Sequence, residues 1–239
     1  MKWPFKKSLA AIKVDIHSHL IPGIDDGSSS EEKSLEMIRL MQAEGFEKII
    51  TTPHIHPKYP NSEQQILAGL TKLQDAVKRE NITIDLEAAA EYYVDEKFME
   101  RVEKKESLLS FGDRYILVEC SFNVKPFFFE SVIYKLKENG YRPVLAHPER
   151  YKFLEGNIGW LNQLKTTGVL FQVTLGSIGG YYGSMPKKIG IELIKNEMVD
   201  FLASDLHRSL QFDFLKKGLR SKEVQQLLKK GRVVNSELI

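Results

Sequence analysis

The chain has 239 residues, enough for one large domain with a full core. Hydrophobic residues make up 42% and charged residues 28%, and 34 basic against 32 acidic side chains leave a formal charge of +2, which argues against the basic stripe of a nucleic-acid binder. A single cysteine, Cys120, excludes a disulfide framework and a cysteine-rich zinc site, and it agrees with a reducing cytoplasm. The start, "MKWPFKKSLAAI", reads as a solvated basic tail over residues 1–12. Lys13 interrupts its apolar stretch before the length of a secretory signal core, and no span approaches the ~20 apolar residues of a membrane helix, so stable membrane insertion is not expected.

Residues 13–239 read as one domain in which short apolar or β-branched runs alternate with helical patterns, the mark of βαβ units and a parallel sheet. The first strand is expected at 13–17. "SSSEEKSLEMIRLMQAEG" follows, with serines ahead of glutamates at capping-box spacing, an apolar stripe of Leu35, Ile38 and Met41, and Gly45 as the stop. Further strands are expected at 48–52, 82–91, 115–119, 143–147, 169–174 and 200–204. Helices are expected at 62–79, 95–105, 127–139, 158–167, 186–196 and 221–230. A closed or nearly closed (β/α) barrel fits this alternation, and an open doubly wound sheet is the alternative.

All 6 histidines lie in "DIHSH", "TTPHIHP", "LAHPER" or "SDLHR", each at the end of an expected strand. Strand C-termini of a parallel barrel share one mouth, where active sites of this architecture are built. Alternation along the first strand aims Asp15, His17 and His19 to one side. "AAAEYYV" and "YILVEC" carry Glu91 and Glu119 behind apolar runs, where a carboxylate is costly to bury unless paired or metal-bound. Singly, each histidine reads as a hydrogen-bonded residue and each glutamate as a helix-start neighbour. Jointly they read as a metal cluster of mixed nitrogen and oxygen donors. Asp26 reads equally as a turn residue of "IDDG", and His56 lies past its strand end, outside the ligand set.

The ordered set "DIHSH…DDG", "TPH", "AAE", "YILVE", "AHPER" and "SDLH" resembles the polymerase and histidinol phosphatase (PHP) superfamily over residues 13–235. Within it the set is similar to the manganese-dependent protein-tyrosine phosphatases of capsular and exopolysaccharide biosynthesis. The resemblance implies a distorted (β/α)7 TIM-like barrel with up to three divalent ions at the C-terminal ends of parallel strands. By position it implies one ion on His17, His19, Glu91 and Asp205, a second on Glu91 as a bridge with Glu119 and His147, and a third on Asp26, His54 and His207. Arg150 matches a family arginine that grips phosphoryl oxygens. Family members carry another arginine five residues beyond the final histidine; here that position is Phe212, and Arg208 is the candidate substitute. Manganese is implied as the metal, while iron, zinc or cobalt suit the same donors. The implied substrate is a phosphotyrosine protein, a bacterial tyrosine kinase of polysaccharide export.

Phosphate monoester hydrolysis is among the slowest uncatalysed reactions, and clustered cations suit it. They acidify a water for direct in-line attack while Arg150 balances charge on the equatorial oxygens. Tyrosine, with a reference pKa near 10, leaves more easily than an alkoxide, so a dedicated general acid matters less. Asp15 is the candidate orienter of a ligand histidine. A cysteine-based phosphatase needs cysteine and arginine separated by five residues, and from Cys120 that position is Pro126. "SFNVKPFFFE" offers an aromatic platform for the phosphotyrosine ring, or Phe127 to Phe129 opening a helix onto the core. "TLGSIGGYYG" offers backbone amides or Ser177 to phosphate. The competing readings are a histidinol-phosphate phosphatase or other PHP phosphoesterase, a nuclease, which the near-neutral charge opposes, and a metal-stabilised interaction module.

Overall fold

The computed structural model describes residues 12–239. The expected tail lies outside the described residues apart from Ile12, which is buried. In chain order the strands are β1 (Val14–Asp15), β2 (Lys48–Thr51), β3 (His54–His56), β4 (Tyr59–Pro60), β5 (Asp85–Ala88), β6 (Glu91–Tyr93), β7 (Tyr115–Glu119), β8 (Arg142–Ala146), β9 (Leu170–Thr174) and β10 (Phe201–Ala203). The helices are α1 (Glu31–Ala43), α2 (Glu63–Arg79), α3 (Glu96–Glu103), α4 (Phe129–Glu138), α5 (Gly159–Thr166), α6 (Leu175–Gly179), α7 (Ser184–Lys195), α8 (Phe212–Leu219) and α9 (Lys222–Lys229). The architecture is α/β with mostly parallel strands. A smaller sheet runs β1-β2-β5 and a larger one β10-β9-β8-β7-β6-β3-β4, parallel throughout except for the β3–β4 hairpin.

Most expected strands are present, with shifted ends. The run expected at 82–91 is split into β5 and β6, and the expected first strand shrinks to Val14–Asp15. The β3–β4 hairpin was not expected from the sequence. Pairing is carried across the strand breaks by Ala89 N–H donating to Thr51 O and Glu91 N–H donating to Pro53 O. At the other side of the fold, Ser18 pairs in parallel with Leu206, and Asp205 N–H donates to His17 O.

Helix starts follow local capping chemistry. Ser30 caps α1 by accepting from Lys33 N–H, so the serine–glutamate box expected there does not form. Ser62 and Gln65 make a reciprocal capping box at α2. Two apolar clusters sandwich the strands. The larger lies between strands and helices. The smaller joins Val14, Ile16, Ile50, Ala89, Leu117, Val144, Ala146, Phe201 and Ala203 with Phe111 and Tyr115, and contains no α-helical residue. No helix among the described residues is long and apolar enough to cross a membrane.

Helices α6 and α8 occupy stretches where none is expected; at α6 the glycine-rich sequence reads locally as loop. A Cβ added at Gly179 would lie 1.9 Å from Phe214 O, and one at Gly218 would lie 2.0 Å from Leu175 O. The two helices therefore cross in backbone contact that only glycine admits. Gly218→Ala forces this crossing apart and is expected to cost at least ~1–3 kcal/mol, read as a lower urea midpoint. An unchanged midpoint would show that the crossing can open freely.

Glu63 links α2 to β6 and α3 by accepting from Tyr92 Oη at 2.9 Å and Arg101 Nη2 at 2.5 Å. Burial opposes its ionisation, but Arg101 outweighs burial and holds the carboxyl below its ordinary 4.5. With the folded value depressed, this stabilisation is complete above the unfolded value and disappears as pH falls through the folded one. Glu63→Gln is expected to lower the thermal midpoint at pH 7, and the gap to wild type should close toward pH 3.

Candidate metal centre

The pleat that builds the smaller apolar cluster also aims the carboxylates. Side chains two apart share one face of a strand. Within β7, Leu117 of the inner cluster is thus followed by Glu119; Glu91 opens β6 two residues after Ala89 of the same cluster. His147 leaves β8 in the left-handed region, at φ 33° and ψ 53°, and Asp205 has φ 50°. Such backbone costs ~1–3 kcal/mol in a residue with a side chain, and it redirects both groups at the strand ends. His54 opens β3, His207 follows β10, and His17, His19 and Asp26 come from the segment between β1 and α1.

All nine residues implied as ligands meet around a cleft of about 330 Å³. Glu91 is central: its Oε2 lies 3.2 Å from His17 Nε2, 3.4 Å from His19 Nε2 and 3.0 Å from His54 Nδ1, while its Oε1 lies 3.0 Å from His147 Nε2. Asp205 Oδ1 stands 3.4 Å from His17 Nε2 and 3.5 Å from His207 Nδ1. Glu119 Oε1 is 3.0 Å from His54 Nδ1, and its Oε2 is 3.9 Å from His147 Nε2. Asp26 Oδ1 faces His54 Nε2 at 3.5 Å and His207 Nε2 at 3.6 Å. His54 thus turns one nitrogen toward Asp26 and the other toward the glutamates.

Two partners missed in the sequence hold the rings. Asp25 Oδ2 is 2.8 Å from His19 Nδ1 and also accepts His54 N–H, while its Oδ1 accepts Gly27 N–H. Gly27 is required there, since a Cβ would lie 2.3 Å from His19 O. Gln172, at the alternate position after Leu170, has its Oε1 2.8 Å from His17 Nδ1 and accepts His147 N–H. The adjacent aspartates of "DDG" were the available signal for Asp25; a glutamine inside a strand gave none.

Several expectations are corrected. Val14 and Ile16, not Asp15, join the inner cluster, so strand alternation does not carry His17 and His19 inward; the strand ends at Asp15 and irregular backbone delivers them. The Asp15 carboxylate accepts from Ser204 N–H and Oγ–H, both at 2.7 Å, and orients no ring. Arg208 lines a neighbouring cavity with Lys33 and Glu36 and is not among the residues lining the cleft, and Phe212 is buried at the start of α8. Ser177 is buried outside the cleft lining. The stretch "SFNVKPFFFE" divides between its two readings: Phe122 lines the cleft, with Tyr59, Tyr93 and His56, while Phe129 enters the core at the start of α4 and Phe127 is 89% exposed.

Electrostatics explains how so many acids share a buried site. Burial opposes ionisation of Glu91, yet His17 and His54 hold it far below the usual carboxylate range. Burial likewise disfavours a charged His19, but Asp25 lifts it to about 9, and Asp25 falls in return to about 2 against its own burial. Burial, then Arg150, lowers His147 and keeps it neutral, the form that binds metal.

The donor set fits divalent ions. Glu91 Oε2, His54 Nδ1 and His147 Nδ1 are buried with no hydrogen-bond partner among the described residues. The donor atoms of His17, Glu91 and His147, of His17, His19 and Asp205, of His54, Glu91 and Glu119, and of His19, His54 and His207 each lie within 4.8 Å of one another. Mixed imidazole and carboxylate donors suit zinc, manganese, iron or cobalt. Asp25→Ala and Gln172→Leu are each expected to weaken metal affinity ~10–100-fold by calorimetry. Wild-type affinity in both would show that these groups do not hold the rings.

Known proteins resemble this chain in sequence and in overall fold. A family model for capsular polysaccharide synthesis, CpsB/CapC, matches residues 13–213. The putative tyrosine-protein phosphatase CapC of Staphylococcus aureus is 30% identical over 230 residues, covering 92% of this chain and 90% of the relative. The tyrosine-protein phosphatase YwqE of Bacillus subtilis (strain 168) is 33% identical over 196 residues, covering 81% and 77%. A solved structure from work on YwqE of Bacillus subtilis and CpsB of Streptococcus pneumoniae, described as unique metal-dependent tyrosine phosphatases, superposes with a TM-score of 0.81 at 30% identity, over 94% of this chain and 90% of its own. With a family model spanning most of its length, the chain belongs to the CpsB/CapC family of capsular polysaccharide synthesis.

Proposed function

We propose that this chain is a metal-dependent protein-tyrosine phosphatase acting on a phosphotyrosine protein of capsule or exopolysaccharide synthesis. One observation carries the reading: Asp26, His54, Glu119, His147, Asp205 and His207 of the imidazole–carboxylate cluster line one cleft with Arg150 and the aromatic side chains of Tyr59, Tyr93 and Phe122, with His17, His19 and Glu91 buried against them. We read the two sheets as one distorted (β/α)7 barrel, because pairing continues through Ala89 and Glu91 on one side and the Ser18–Leu206 bridge joins first strand to last on the other. We assign three ions, one to His17, His19, Glu91 and Asp205, one to Glu91, Glu119 and His147, and one to Asp26, His54 and His207. Manganese is our choice among the metals these donors suit.

Divalent ions held there would supply Lewis acidity toward a water and the phosphoryl oxygens. Arg150 adds fixed charge where the equatorial oxygens gather electron density. The aromatic lining favours an aryl ester, whose phenolate leaves without a dedicated acid. Cys120 offers no alternative nucleophile: it is buried, and burial pushes its thiol up to about 12. We take the substrate to be a tyrosine kinase of polysaccharide export, and the compartment to be the cytoplasm, where a free cysteine stays reduced.

Manganese-loaded protein, offered phosphotyrosine peptide, histidinol phosphate and single-stranded DNA separately, is expected to turn over the peptide. Faster release from histidinol phosphate would move the assignment to that ester. His147→Ala should leave a folded protein with background activity, and retained turnover would refute the cluster. Arg150→Ala is expected to lower kcat/KM by ~10²–10³-fold.

A further inference from the structure

We infer that Tyr182 and Phe122 are positioning residues that hold the Arg150 guanidinium at the phosphate end of the cleft. Arg150 Cζ lies 4.0 Å from the Tyr182 ring centroid and 4.7 Å from that of Phe122. A guanidinium held over aromatic faces is fixed in place while the N–H donors around its edge stay available to an oxyanion. One donor is already anchored: Arg150 Nη1 donates to Asp205 Oδ2 at 2.5 Å. Nε and Nη2 have no recorded partner among the described residues, and Arg150 lines the cleft.

Tyr182 acts on the same carboxylate. Its Oη donates to Asp205 Oδ2 at 3.1 Å, leaving Oδ1 toward His17, His19 and His207. The hydroxyl in turn accepts from Gln211 Nε2 at 3.1 Å, and Gln211 Oε1 accepts the N–H groups of His207 and Arg208 at 2.7 and 2.9 Å. Tyr182 is not among the residues lining the cleft, so its influence runs through Arg150 and Asp205. Its place is set from behind. Gly180 and Gly183, at φ 94° and 93°, bracket the turn, and Tyr181 packs at 5.4 Å on Phe214 beside the α6–α8 crossing.

The inference rests on the phosphatase reading for its substrate, so the test pairs turnover with binding of inorganic phosphate. Manganese-loaded wild type, Tyr182→Leu, Tyr182→Phe and Phe122→Leu are compared, each with Arg150 and with Arg150→Ala. The readouts are the phosphate dissociation constant by calorimetry, kcat and KM for an aryl phosphate, and bound manganese. Tyr182→Leu and Phe122→Leu should each weaken phosphate binding and raise KM by ~3–30-fold at unchanged manganese content, with Tyr182→Phe, which keeps the ring, recovering most of the loss. In the Arg150→Ala background both losses should shrink below ~2-fold, because residues acting through one partner are not additive. Equal losses in both backgrounds, or losses that follow manganese content, would overturn the inference. Should wild type hydrolyse no phosphomonoester while phosphate binding follows the expected pattern, the phosphatase reading fails and the clamp stands. Normal turnover with wild-type phosphate binding in Tyr182→Leu and Phe122→Leu overturns the clamp alone.

Discussion

A fully buried carboxylate must find positive charge, and Glu91 imposes that demand at the centre of this fold. No lysine is among the residues lining the cleft beside it except Lys58, which is exposed at the rim. The charge comes from imidazoles: His17 and His54 hold the Glu91 carboxyl far below its ordinary range. Asp25 and Gln172 then act as tethers, fixing which nitrogen of His19 and His17 faces Glu91. The left-handed backbone at His147 and Asp205 is a cost accepted for the same end.

The strands divide into an apolar floor and a polar mouth on a single face. Leu117, Ala89 and Ala203 pack below; Glu119, Glu91 and Asp205 each follow two residues on, at the polar end. The floor is rigid because it interdigitates Phe111, Tyr115 and Phe201 at ring separations of 5.3 to 6.0 Å. Rigidity matters where so many donor atoms converge, since such constellations tolerate displacements of only about 0.5 Å.

Much of this was legible in the sequence, because strand runs, helix caps and strand-end histidines are local signals. β7 was placed residue for residue, and the nine implied ligands do meet. What escaped depends on tertiary context. Asp15 sat in an apparent alternating strand, yet the strand stops there and its carboxylate serves Ser204. The glycines of "TLGSIGGYYG" looked like a loop, while in space they let α6 press against α8. Gln172 looked like an ordinary strand residue until its ring partner, 155 positions away, came beside it. Arg208 follows His207 directly in sequence, but it lines another cavity.

The pairing of Ser18 with Leu206 has a temporal meaning as well. Synthesis proceeds from one terminus, so His17 and His19 emerge long before Asp205 and His207 exist to complete their coordination sphere. Nascent chains on the ribosome therefore hold only part of the imidazole–carboxylate cluster until the last strand is released. A product cut short before Asp205 would lack two members of that cluster and the backbone partner of Ser18.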